Sequence, residues 1–212
     1  MGGEGKQFRL LDGRPAMCWA ARPLVEALAG PLVVVLPADR LAEGEDLLHA
    51  HLSPASARLR VTAGGARRQD SVRAGLEAVP ETETLLVHDA ARPFASAGLC
   101  ERVARRAVAG RSVIPAVPIQ DTLKEIEGDR VVRTHDRRRF VAAQTPQGFP
   151  RSVLRQAHEE ATPPDATDDA ELCERLGIPV TWIPGEILNR KLTDPDDWTW
   201  AERAIAEGRV RW

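Results

Sequence analysis

Three short stretches of this chain concentrate side chains able to hold or move charge. The first, Ala63-Gly64-Gly65-Ala66-Arg67-Arg68-Gln69-Asp70-Ser71, follows an apolar run and leads into an amphipathic one. Paired glycines let backbone approach a ligand closely, a helix N-terminus offers free N–H groups, and the arginines add charge, so the segment suits a nucleotide phosphate. A tight strand-to-helix turn needs the same residues, and both readings stay open. The second, Val87-His88-Asp89-Ala90-Ala91-Arg92-Pro93-Phe94, sets ionisable groups at the end of the most apolar run. Asp89 could accept ligand hydroxyl protons or orient a metal shell, and the structural alternative is an Asp89–Arg92 pair capping the next helix. His88 reads as a packed or hydrogen-bonded histidine, because no second histidine stands at ligand spacing.

The third stretch is Asn189-Arg190-Lys191-Leu192-Thr193-Asp194-Pro195. Among 29 basic residues only Lys6, Lys124 and Lys191 are lysines, so each raises the question of why a compact ammonium stands there. Lys191 suits a phosphate, against the alternative of a solvated edge lysine. Lys6 in Gly5-Lys6-Gln7-Phe8 and Lys124 in Asp121-Thr122-Leu123-Lys124 carry the same alternative. Arg137, Arg138 and Arg139 form a basic run that reads as a solvated face or as reach onto another subunit's anion. Asp168 and Asp169 are adjacent, diverge by about 100° on a helix, and suit capping better than acid/base work. No GxxxxGK[ST], HExxH or GxSxG occurs, which leaves P-loop, zincin and hydrolase readings without support.

The elements that must position these groups form a rhythm. Runs rich in Val and Leu at 32–37, 57–62, 84–88 and 112–117 read as strands buried on both faces, separated by helix-length segments at about 39–51, 68–79 and 97–109. Such alternation predicts an α/β fold of Rossmann-like type, a mostly parallel sheet with helices on both faces, whose ligands gather at the carboxyl ends of the strands. Val72, Leu76 and Val79 share one face of the helix over 68–79. Pro23 predicts a break near Arg22 in the helix over 15–29. The segment 119–143 turns charged, with brief β-like pairs about a Glu127-Gly128-Asp129 turn, and reads as a protruding hairpin arm. Helices return over about 151–161 and 168–176, the second with Thr167 as N-cap and Gly177 as stop, and a strand follows at 180–184. The last helix has Asp194 as cap, Pro195 at its first position, and Trp198, Ala201 and Ile205 turned inward.

With 212 residues, 43% hydrophobic and 28% charged, the chain fits one soluble globular domain, residues 1–212, with the arm at about 119–143. A net charge of −2 gives no global attraction to nucleic acid, so an anionic ligand must be held locally. No run approaches the roughly 20 apolar residues of a membrane span, and no signal peptide is evident, so the expected location is cytoplasmic. Cys18, Cys100 and Cys173 lack paired spacing and read as small buried hydrophobes.

Taken in order, KQF at 6–8, GGARRQDSV at 64–72, VHDAARPF at 87–94, DTLK at 121–124, TPQGF at 145–149, TDDA at 167–170 and NRKLTDP at 189–195 resemble the 2-C-methyl-D-erythritol 4-phosphate cytidylyltransferases of the non-mevalonate isoprenoid pathway. The resemblance implies a homodimer built through the arm and transfer of a cytidylyl group from CTP to a polyol phosphate, with Mg2+ accompanying the triphosphate. It implies that Gly64, Gly65, Ala66, Ser71 and Asp89 lie at CTP, and that Lys6 and Lys191 are catalytic. It further implies that Asp89, Arg92, Thr122, Arg137, Thr145, Thr167 and Lys191 contact the polyol phosphate, Arg137 from across the dimer. Family members open with an apolar strand and a glycine-rich loop ending in Arg-Met-Gly, whose arginine is catalytic, whereas these residues open Met1-Gly2-Gly3-Glu4-Gly5-Lys6. The difference predicts unpaired backbone and an unfilled slot where a central strand would lie. A truncated chain or a late start is the expected reading, and a catalytically impaired CTP-binding protein or a ribitol 5-phosphate cytidylyltransferase are the alternatives.

Overall fold

The structure is a computed structural model that describes residues 5–52, 57–161 and 166–212; the opening residues 1–4 lie outside it. A short 3-10 turn at Lys6–Phe8 precedes a two-residue ladder of β1 (Leu10–Leu11) and β2 (Arg14–Pro15), then α1 (Ala16–Ala27). Next come β3 (Leu32–Leu36), α2 (Leu41–His51), β4 (Leu59–Ala63), α3 (Arg68–Ala78), β5 (Thr84–Val87), α4 (Ala97–Val108) and β6 (Ser112–Pro118). The arm strands β7 (Leu123–Glu127) and β8 (Arg130–His135) follow, then β9 (Val141–Ala143), β10 (Gln147–Pro150), α5 (Arg151–Glu160), α6 (Asp169–Arg175), β11 (Val180–Pro184) and α7 (Pro195–Ala206).

The strands form a mixed arrangement rather than the mostly parallel sheet expected. β3 and β4 pair in parallel as one small sheet. A second sheet runs β11, β6, β10, β5, with β9 on the far part of β6; β11 is parallel to β6, but β10 runs antiparallel to both its neighbours and β9 antiparallel to β6. The strand that breaks the parallel pattern, β10, reads Gln-Gly-Phe-Pro, where Gly148 and Pro150 oppose the strand preference of Phe149, so propensity gives little signal for it. It is extended because β5 and β6 pair with it from both sides.

Helices cover both faces of this second sheet, as alternation along the strands requires. On β10, Phe149 joins Leu154, Ala157, Ala170, Leu172 and Cys173 of α5 and α6, whereas Gly148 lies against Val103 and Ala107 of α4. The small sheet is likewise sandwiched: Leu36 and Leu59 pack with Met17, Cys18 and Leu48 of α1 and α2, and α3 lies on its other face. The three cysteines are free and buried, and burial pushes the Cys18 and Cys100 thiols up to about 12 and that of Cys173 to about 11.

Between the two sheets the structure leaves an apolar groove of about 560 Å³, walled by β3 and β5 and by faces of α1, α3 and α4. The facing edges of β3 and β5 have no strand partner among the described residues. These two strands are therefore only half-buried, against the expectation of strands buried on both faces.

Helix α1 runs through Pro23 without the break expected near Arg22. A proline inside a helix costs about 3 kcal/mol, and here the buried run from Ala16 to Ala21, with Pro23 itself buried, offsets it. Helix α7 starts as its residues dictate, with the Asp197 amide donating to Asp194 Oδ1 at 3.0 Å and Pro195 in the first turn. The cap of α6, in contrast, is Asp168 and not Thr167: Asp168 Oδ1 accepts from the Glu171 amide at 2.9 Å, and Thr167 gives both its amide and its hydroxyl to Glu171 Oε2. Among the described residues no helix is long and apolar enough to cross a membrane.

Candidate functional site

The carboxyl ends of β4 and β5 lie on different sheets, and charged side chains draw them together. After β4, the glycine turn closes on the start of α3: a side chain at Gly64 would stand 2.7 Å from Ser71 Oγ, and one at Gly65 would stand 2.4 Å from Asp70 Cβ. The Gly65 amide donates to Ser71 Oγ at 3.2 Å, and the Arg67 amide and Nε donate to Asp70 Oδ2 at 3.2 and 3.0 Å. Glycine is thus required here by packing alone, and the same packing leaves the backbone of Gly64, Gly65 and Ala66 as the surface a ligand would meet.

Arg68, the first residue of α3, bridges the groove's end. Its Nε donates to Asp89 Oδ1 at 3.2 Å and its Nη2 to Asp169 Oδ2 at 2.7 Å. Nη1 is buried and has no partner among the described residues. Burial lowers the pKa of Arg68, but the charges of Asp169 and Asp89 outweigh it and hold the guanidinium more firmly protonated than usual.

Asp89 is anchored from every side. Lys191 Nζ donates to Oδ2 at 2.9 Å, and the Asp89 amide donates to Thr145 Oγ1 at 3.0 Å. Burial pushes the Asp89 carboxyl up, and Arg68 and Lys191 more than reverse this, holding it at about 2. Thr145 Oγ1 lies 2.8 Å from His88 Nδ1, and His88 Nε2 lies 3.0 Å from the Arg92 carbonyl. A carbonyl only accepts, so Nε2 carries the hydrogen and the Thr145 hydroxyl donates to Nδ1. Burial lowers the His88 pKa to about 4, against the opposing charge of Asp89. The imidazole is a neutral strut that orients Thr145.

The Asp89–Arg92 pair, the structural alternative for these residues, does not form. Arg92 instead donates to the carbonyls of Asn189 at 2.9 Å and Ala143 at 3.1 Å, joining the end of β9 to the loop that carries Lys191, and α4 is capped by Ser96. Fully buried Asn189 fixes that loop from within, donating to the Thr145 carbonyl at 2.8 Å. Lys6 Nζ reaches the same loop, at the Thr193 carbonyl, 2.5 Å away. Asp197 accepts from the Thr193 amide and hydroxyl and, with Arg190 at 2.5 Å, holds the loop's far side.

The structure therefore gathers Lys6, Gly64, Gly65, Ala66, Ser71, Asp89, Arg92, Thr145 and Lys191 around one edge. Thr167 stands beside Asp168, whose Oδ2 accepts from Gln147 at 2.7 Å. Thr122 and Arg137 stand apart, exposed at the base of the arm, with the Arg137 guanidinium bonded to the Gln120 carbonyl.

Two functional candidates escaped sequence reasoning, Asp169 and His158, and Arg68 was read only as added charge beside the glycine turn. Asp169 was expected as part of a helix cap, yet it is fully buried, paired with Arg68 and bonded to His158 Nε2 at 2.9 Å. Among the described residues no group of three or more His, Cys, Asp or Glu could hold a metal ion. Both oxygens of Asp89 are engaged, one by Arg68 and one by Lys191, so these residues do not form a ready ligand set for Mg2+.

A divided α/β sheet with a glycine turn, a helix N-terminus and cations at one carboxyl edge defines an anion-binding α/β protein of the nucleotide-handling type. The sequence model of a family described as IspD: 2-C-methyl-D-erythritol 4-phosphate cytidylyltransferase matches residues 1–207. A bifunctional enzyme IspD/IspF from Solidesulfovibrio magneticus is 48% identical over 203 residues, covering 92% of this chain and 50% of that protein. A 2-C-methyl-D-erythritol 4-phosphate cytidylyltransferase from Streptomyces coelicolor is 41% identical, covering 98% of this chain and 80% of that protein. The crystal structure of the Thermus thermophilus 2-C-methyl-D-erythritol 4-phosphate cytidylyltransferase superposes with a TM-score of 0.78 at 36% identity, covering 97% of this chain and 94% of that one. The chain spans about half the length of the bifunctional relatives it matches. It belongs to the 2-C-methyl-D-erythritol 4-phosphate cytidylyltransferase family.

Proposed function

We propose that this chain transfers the cytidylyl group of CTP to 2-C-methyl-D-erythritol 4-phosphate, releasing pyrophosphate and forming 4-diphosphocytidyl-2-C-methyl-D-erythritol for isoprenoid precursor synthesis. The observation that carries this reading is the meeting of Lys6 and Lys191 on one loop beside Asp89, with the glycine turn tied to the same carboxylate through Arg68. An oxygen of the acceptor phosphate attacks the α-phosphorus of CTP in line. The bond from that phosphorus to the bridging oxygen of the leaving pyrophosphate breaks as the new one forms. The nucleophile is already ionised, so no general base is required, and catalysis rests on positioning and on fixed positive charge.

In this reading the backbone of Gly64, Gly65 and Ala66, with Ser71, receives the cytidine side of CTP. Lys6 and Lys191 hold the phosphates. Asp89, with Arg92, Thr145 and Thr167, faces the polyol phosphate. Mg2+ would come with the triphosphate, not from a ligand set of the chain, and would supply charge neutralisation there; the chain's own part is to orient the two phosphates and to withhold bulk water.

Arg137 and Thr122 fit a role across a homodimer. Ile126, Val131, Val132, Phe140 and Val141 leave large apolar surface exposed on and beside the arm, which supports pairing of two chains there. A cytoplasmic location accords with a charged, membrane-independent substrate pair.

Incubating the chain with CTP and Mg2+ and either methylerythritol phosphate or ribitol 5-phosphate, while following pyrophosphate release and product mass, tests the reading. The expected result is a kcat/KM about tenfold or more higher for methylerythritol phosphate. Preference for ribitol 5-phosphate would overturn the substrate assignment. CTP binding with no pyrophosphate release from either would leave a nucleotide-binding protein in place of an enzyme.

A further inference from the structure

Behind Asp89 and Lys191 runs a line of ionisable groups, Arg68, Asp169 and His158, to which the proposed function gives no ligand contact. Lys191 binds one oxygen of Asp89, Arg68 the other; Arg68 passes on to Asp169, and Asp169 to His158, with separations of 2.9, 3.2, 2.7 and 2.9 Å. Two carboxylates alternate with two cations, so their formal charges cancel. Asp169 is 0% exposed. Its carboxylate only accepts, so His158 holds a hydrogen on Nε2, and Nδ1 has no partner among the described residues. The His158 backbone is fixed as well, its carbonyl accepting from Arg73 on α3 at 3.1 Å.

A guanidinium has five donors in one plane, so an acceptor on one edge fixes the direction in which the others point. Asp169 takes Nη2 and thereby sets the face that Nε presents to Asp89. We propose that Asp169, oriented by His158, is a positioning residue that sets Asp89 for the polyol substrate by locking Arg68. This rests on the reading of Asp89 as the group that faces the polyol. It also gives the second aspartate of the Thr167-Asp168-Asp169-Ala170 block a task separate from the first, since Asp168 caps α6 and Asp169 turns inward.

The test compares Asp169→Asn, His158→Leu and His158→Gln in the full chain. Asn keeps the volume and one acceptor but removes the charge that orients Arg68. The expected result is a loss of about tenfold to a hundredfold in kcat/KM for methylerythritol phosphate with KM for CTP within about twofold. His158→Gln, which keeps a donor toward Asp169, should stand at least about fivefold above His158→Leu.

A second readout does not depend on turnover: exchange of the Arg68 Nε hydrogen with water, followed by nuclear magnetic resonance, should accelerate about tenfold or more in Asp169→Asn. An equal change in both KM values, or no difference between the two His158 variants, would assign these residues to general folding and overturn the proposal, as would unchanged exchange at Arg68. Absence of polyol turnover in the unmodified chain would remove the functional reading alone, and the exchange measurement would still decide the relay.

Discussion

The two ends of the space between the sheets are built on opposite principles. At the carboxyl end, Lys191, Asp89, Arg68 and Asp169 answer one another's charges across side chains from four separate elements. Along the body of the groove, apolar residues of β3 and β5 face one another, and the strand edges have no partner among the described residues. One region is held by side chains and the other would need backbone pairing to close. The difference explains how a site can be in order on a divided sheet: Arg68, from the helix after β4, clasps the end of β5 by ion pairing where no hydrogen-bond ladder joins the two sheets. Helix α1, packed on the small sheet and against α4, is a second brace.

The strongest way to probe this contrast is a matched pair of leucines. Leu99 of α4 is fully buried in the core of the larger sheet, whereas Leu24 of α1 is half-buried on the groove wall. Leu99→Ala should cost about 2–5 kcal/mol in urea unfolding, through lost transfer energy and a cavity that cannot relax. Leu24→Ala should cost about 1 kcal/mol, since part of that side chain already meets open space. Equal losses would mean that the groove wall is packed like a core and would break the comparison.

A second contrast separates the site from the scaffold. Lys191 is 41% exposed, and ion pairs in that setting contribute about 0–1 kcal/mol to stability. Removing a fixed charge from a phosphoryl-type transition state costs about 10²–10³ in rate. Lys191→Ala should therefore leave the melting temperature within a few degrees while nearly abolishing pyrophosphate release. A large drop in melting temperature would make Lys191 part of the clasp first and of the chemistry second.

What could be read along the chain, and what could not, follows the same division. The strands at 32–36, 59–63, 84–87, 112–118 and 180–184 and the Asp194-Pro195 start of α7 were legible, because their causes are local: a run of apolar residues, or a cap beside a proline. Gly64, Gly65 and Asp89 were legible as candidates because they end such runs, and Lys191 because it is one of three lysines among 29 basic residues. The Arg68–Asp169–His158 line was not, since its members stand 101 and 11 residues apart and each has an ordinary local excuse. Asp169 passed as a cap residue; the divergence of neighbouring side chains on a helix is what lets Asp168 cap while Asp169 turns inward. Strand β10 was hidden for a related reason, as Gln147-Gly148-Phe149-Pro150 is extended only by its neighbours. Pro23 misled in the other direction, because burial of α1 outweighs a local penalty.

The gentlest probe is pH, and its sign can be worked out from two groups of the site. His88 has its folded pKa at about 4, below the ordinary 6.5, so folding favours the neutral ring. The stability this represents is complete above pH 6.5 and is lost as the pH falls toward 4, while the unfolded chain takes up the proton the folded chain refuses. Asp89, at about 2 against an ordinary 3.8, behaves likewise one window lower: its contribution is whole above 3.8 and is lost as the pH falls through 2. Each amounts to about 2–3 kcal/mol if its shift is fully expressed. Urea unfolding followed from pH 7 to pH 4 should therefore lose stability first from His88, and His88→Gln should flatten that part of the curve while leaving the steeper acid fall below pH 4. Gln can also keep a contact with Thr145, so the substitution tests the proton and not the strut. If the curve of His88→Gln kept its full slope between pH 6.5 and 4, the loss would come from groups elsewhere, and the neutral imidazole behind Thr145 would not be what makes the polar end of the groove sensitive to acid.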